Sequence, residues 1–61
     1  MKFFELVTYW ENSGRKAEFA TMDNIFSALA VYYTHPDLIS AVIYDNGHAV
    51  AVFRKEILEA N

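Results

Sequence analysis

Cysteine is absent from this 61-residue chain. That excludes a disulfide framework and any thiolate metal site. Two histidines do not make a structural zinc site by themselves, and no cofactor is expected. Cations are the minority charge, five Lys and Arg against eight Asp and Glu, for a net charge of −3. Such a balance argues against general affinity for nucleic acid or anionic membranes, both of which reward clustered Lys and Arg. No apolar run approaches the ~18 residues of a membrane span. The opening MKFFELVTYW holds Glu5 in its middle and lacks a small-residue cleavage site, so it does not read as a signal peptide. These absences fit a cytosolic protein. There is no linker, repeat or low-complexity segment, and residues 1–61 read as one domain.

Apolar matter is plentiful. Hydrophobic residues make up 54% of the chain, with one Trp, four Tyr and five Phe. A domain this short buries only about 60% of the surface its unfolded chain exposes, so it needs a staple. With disulfides and thiolate metal sites excluded, a dense aromatic core, a second copy of the chain, or both must serve.

Lys2 to Trp10 is rich in aromatic and β-branched residues and reads as a strand. Both parities, Phe3, Glu5, Val7, Tyr9 and Phe4, Leu6, Thr8, Trp10, are largely apolar, which suits a central strand covered on two sides. The ENSG that follows has hairpin-loop chemistry. In RKAEFATM, Lys16 and Glu18 alternate with Ala17 and Phe19, the pattern of a half-buried edge strand.

TMDNIFSALAVYYTHP predicts a helix, capped at Thr21 or Asp23 and stopped by Pro36. At 100° per residue, Met22, Ile25, Phe26, Leu29, Tyr32 and Tyr33 share a broad face. Its apolar arc is roughly 200° wide, against the ~100° a surface helix needs. No charge lies between Asp23 and Asp37. One small sheet does not readily bury so wide a stripe.

LISAVIYDNGHAVAVFRK predicts a second hairpin, because Asn-Gly favours a two-residue type I′ turn. With Asn46 and Gly47 as that turn, Ile43 faces Val50 and Ala41 faces Val52. One face then gathers Ile39, Ala41, Ile43, Val50 and Val52. The other gathers Ser40, Val42, Tyr44, Ala49, Ala51 and Phe53. EILEAN adds a short helical turn at the end.

The order strand–strand–helix–strand–strand predicts an α+β two-layer sandwich, a four-stranded, mainly antiparallel sheet with one helix on one face. The helix covers the Ile39–Val52 side. Val42, Tyr44, Ala51 and Phe53 are then left on the second face, with Phe4, Leu6 and Trp10 from the first strand. An apolar face of this kind marks an interaction surface, for a second copy of the chain or for another protein.

Catalytic patterns are thin. His35 before Pro36 and Asp37 reads as a helix-terminal histidine near the dipole rather than a general base. His48 lies across the turn from Asp45, as many hairpin-tip pairs do. Ser13, Ser27 and Ser40 lack a partner base, and Gly14 and Gly47 serve turns rather than a phosphate loop. A non-enzymatic role is expected.

The alternative use of an aromatic sheet face is single-stranded nucleic acid, with Arg15, Lys16, Arg54 and Lys55 framing Tyr44 and Phe53. Short, acidic, cysteine-free α+β chains also resemble accessory proteins of phages and mobile elements. Some of those inhibit host defence enzymes by binding them. The resemblance lies in size and architecture, covers no motif, and implies a protein-binding role.

Overall fold

The computed structural model describes residues 1–55. The helical turn expected in EILEAN lies outside the described residues. Four antiparallel strands form one sheet in the order β2-β1-β3-β4. The strands are β1 (Phe4–Trp10), β2 (Gly14–Ala20), β3 (Leu38–Asp45) and β4 (His48–Arg54), and α1 (Met22–Tyr32) joins the two hairpins. The ββαββ architecture is the one the sequence predicts, with β1 central and β2 at an edge.

The first hairpin turns through Glu11–Ser13, with Gly14 at φ 80°, a left-handed conformation that glycine adopts without a Cβ clash. The second turns through Asn46 (φ 50°) and Gly47 (φ 83°), the paired positive angles of a type I′ turn. Thr21 caps α1 from an extended backbone, its hydroxyl accepting from the Asn24 N–H. The helix unwinds through Thr34 and His35, whose N–H groups donate to the Val31 and Tyr32 carbonyls, just ahead of Pro36.

The core lies between α1 and the centre of the sheet. Leu6, Ile25, Leu29, Ala41 and Ile43 form it, with Phe4, Met22, Tyr32, Ala51 and Phe53 packed around them. The helix buries only the narrow stripe of Ile25 and Leu29, leaving Phe26, Val31 and Tyr33 exposed. Its apolar arc is indeed wider than this sheet covers.

Two β-bulges decide which side chains join the core. Trp10 pairs with Leu38 and Tyr9 with Ser40, so Ile39 is an extra residue in β3. Tyr44 pairs with Ala49 and Ile43 with Ala51, so Val50 is an extra residue in β4. Each bulge offsets the alternation by one. Ile39 and Val50, expected beneath the helix, are the two bulged residues, and both are exposed. Beyond the second bulge Ala51 and Phe53 pair with Ile43 and Ala41 on the helix side, while Val52 pairs with Val42 on the other. A one-residue slip thus exchanges the two faces of β4.

Candidate functional site

The sheet face opposite the helix is built from one parity of each strand, set in three rows by the pairing register. The first row runs Arg15, Tyr9, Ser40, Arg54 across β2, β1, β3 and β4. The second is Ala17, Val7, Val42, Val52, and the third is Phe19, Glu5, Tyr44, Ala49. An apolar band is therefore bounded at one end by two arginines and at the other by an aromatic pair flanking one carboxylate.

Of the residues expected on this face, Val42 and Tyr44 lie here, half-buried. The other five lie on the helix side. Leu6 is in the core, Phe4, Ala51 and Phe53 pack against it, and Trp10 meets Tyr32 of the helix. The cause is physical. Both parities of β1 are apolar, so its own pattern does not choose a side, and the Val50 bulge inverts β4.

The residues that composition alone missed are Phe19, Val52, Val7 and Tyr9. Phe19 carries the strongest signal. The alternation of β2 separates Ala17 and Phe19 from Lys16 and Glu18, and an isolated domain would turn the first pair inward. Here the reverse holds. Glu18 and Lys16 lie opposite Leu6 and Thr8 on the helix side, while Ala17 and Phe19 point away from the helix. Phe19 is 70% exposed and Val52 59% exposed, at opposite edges of the sheet. Between them Val7 is fully buried, enclosed on that face by Ala17, Val42, Glu5 and Tyr9.

The four cations expected to act together are split by strand alternation. Arg15 and Arg54 share the end row of the open face. Lys16 instead sits over the Trp10 ring on the helix side, 5.6 Å from its centroid. Lys55 donates to the His35 carbonyl. The arginines thus frame Tyr9 and Ser40, rather than Tyr44 and Phe53.

On the helix side, beside the end of α1, an open cleft of about 290 Å³ is lined by Trp10, Tyr32 and His35 together with Lys16, Glu18 and Asp37. Trp10 meets Tyr32 and His35 edge-to-face, with centroids 5.4 and 5.9 Å apart. Its indole N–H donates to the hydroxyl of buried Thr8 at 2.7 Å, so the polar edge of the tryptophan is satisfied inside the fold. Tyr32 donates to the Glu18 carboxylate at 2.7 Å. That bond, followed by burial and the Glu18 charge, raises the Tyr32 pKa above its usual value. The phenol is therefore held protonated, a donor rather than a base.

The two histidine–carboxylate pairs do not form dyads. His35 presents its ring to Trp10. Asp45 faces His48 across the turn, but its carboxylate holds Lys2 at 2.8 Å. Among the described residues no three His, Cys, Asp or Glu side chains gather as a metal site, and no helix is long and apolar enough to cross a membrane.

The Tyr32–Glu18 bond has a titratable consequence. Absorbance titration of the phenolates should show a late-ionising component, and Tyr32→Phe should remove it. Stability linked to the protonated phenol is present below the unfolded tyrosine value, about 10, and is lost as pH rises through the higher folded value. An unchanged late component in Tyr32→Phe would reject the assignment.

No family model, curated protein or solved structure matches this chain. Its role is read from geometry.

Proposed function

We propose that this chain is a non-enzymatic protein-interaction domain. It self-associates through the sheet face opposite the helix and presents the assembled surface to another protein. The observation that carries this reading is the inverted polarity of β2. Its apolar side, Ala17 and Phe19, faces away from the helix, and Val52 extends the apolar band to the far edge. An exposed phenylalanine on an edge strand of a cysteine-free 61-residue domain is costly in isolation and useful when covered. The resemblance in size to phage accessory proteins makes inhibition of a host protein the form that further docking would take.

Sedimentation velocity from sub-micromolar concentration upward tests the reading. The wild-type chain is expected to sediment as a dimer, and the Phe19→Asp, Val52→Asp double variant as a folded monomer with association weakened at least 100-fold. A wild-type monomer at every concentration would reject self-association.

A second reading has one observation in its favour. The Arg15–Tyr9–Ser40–Arg54 row sets an aromatic ring between cations at one end of the sheet, as single-strand binders do. The net charge of −3 weighs against it. Titration of mixed oligonucleotides at low salt separates the two. Interaction through protein alone predicts no binding, whereas binding weakened by Arg54→Ala would favour nucleic acid.

A further inference from the structure

Resting on the self-association just proposed, we infer the orientation of the pair: two copies stack sheet face to sheet face with a two-fold axis running across the strands, so that Arg15 of each meets Glu5 of the other.

The three rows supply the argument. Arg15 and Arg54 occupy the row at one end of the open face, Glu5 the row at the other, with the apolar row between them. Rows one and three are four residues apart along a strand, about 13 Å. Arg15 and Glu5 of one copy therefore do not meet each other. Among the described residues neither forms an ion pair within the chain.

A symmetric dimer presents the same patch from both copies, and face-to-face stacking of aligned sheets leaves two simple choices of axis. An axis along the strands lays each end row on its own counterpart. Arg15 then sits on the second copy's Arg54, twice, and four guanidinium groups crowd one end of a desolvated interface. Like charges so placed repel and disfavour the interface. An axis across the strands lays the arginine row of each copy on the Phe19–Glu5–Tyr44 row of the other. Arg15 then reaches the face of Phe19 and, one strand over, the Glu5 carboxylate. Arg54 lies over the apolar end of β4. The valine rows still stack on one another, as they do with either axis. The charges choose the second arrangement.

The arrangement has a consequence that only this orientation gives. Arg15→Glu alone places two carboxylates together at both ends of the dimer, and Glu5→Arg alone places two cations together at both ends. A mixed dimer of the two variants restores an opposite-charge pair at both ends. Both variants carry net negative charge, so bulk attraction does not drive the mixture.

The experiment is native mass spectrometry and sedimentation velocity on Arg15→Glu, Glu5→Arg and their equimolar mixture, with folding checked by circular dichroism. Each variant alone is expected to dimerise at least 10-fold more weakly than wild type. The mixture should form a mixed dimer well beyond the statistical half. Lys16→Glu changes charge at the neighbouring residue on the helix side. Mixed with Glu5→Arg, it should give no such preference. Should Glu5→Arg not fold, Glu5→Gln replaces it, with the same direction and a smaller preference. A wild-type dimer whose Arg15→Glu and Glu5→Arg variants mix only statistically overturns the orientation and leaves self-association standing. A wild-type monomer removes both.

Discussion

Leu6→Ala is expected to lower the melting temperature by about 15–25 °C, or to leave the chain unfolded at ambient temperature. Leu6 is fully buried on the central strand, in the cluster that ties Ile25 and Leu29 of the helix to Ala41 and Ile43 of β3. Truncating such a leucine costs roughly 2–5 kcal/mol, the transfer of its methyl groups plus the cavity left behind. A 61-residue chain has only about 3–9 kcal/mol of stability to lose. One kcal/mol moves the midpoint of so small a domain by about 4–8 °C. Val31→Ala is the matched control, because Val31 lies on the outer side of the helix. Its cost should stay under about 1 kcal/mol. Thermal melts followed by far-ultraviolet circular dichroism measure both. A drop of only a few degrees for Leu6→Ala would mean that the helix does not seal the sheet there.

A carboxylate introduced at Val7 should abolish folding, while the same change at Val52 should not. The two valines share a row of the open face, yet Val7 is enclosed by its neighbours and Val52 stands at an edge, mostly exposed. At Val7 the new group must either ionise without a partner or stay protonated with its hydrogen bonds unmade. Either outcome costs several kcal/mol. At Val52 water solvates the carboxylate in the single chain, and the penalty falls on association. The expected result is an unfolded Val7→Asp and a folded Val52→Asp whose melting temperature no longer depends on protein concentration. A Val52→Asp variant that still shows concentration-dependent melting would place the contact elsewhere, the exposed Phe26–Tyr33 flank of the helix being the first place to test.

Much of the fold is legible in the sequence. Asn46-Gly47 fixes the second hairpin because few other dipeptides tolerate two positive φ angles, and the charged alternation of Lys16 and Glu18 marks an edge. Thr21 and Pro36 bracket the helix. The open face is less legible. Val42 and Tyr44 are on it as expected, but five residues expected beside them lie on the helix side. In β1 both parities are apolar, and packing against Ile25 decides between them. In β4 the run Ala49-Val50-Ala51-Val52 is so even that nothing in it announces a bulge. The polarity of β2 misleads in a more useful way. Its pattern is correct for a half-buried strand, but the half to be buried is turned away from the core of a single chain.

The Val50 bulge leaves β4 two registers on β3, one residue apart. Val50 is an unpaired, exposed residue, so many side chains fit there at little cost to the fold. Kept out of the ladder, it lets Ala51 and Phe53 fall opposite Ile43 and Ala41 under the helix, and Val52 opposite Val42 on the outside. Related sequences are free to vary at this position, and to lose it, while keeping both faces of β4. Deleting Val50 joins Ala49 to Ala51, which still lie opposite Tyr44 and Ile43, and only makes the strand regular. Drawing Val50 into the ladder, by contrast, would send Phe53 outward and Val52 inward in a single step, altering the core and the outer surface together.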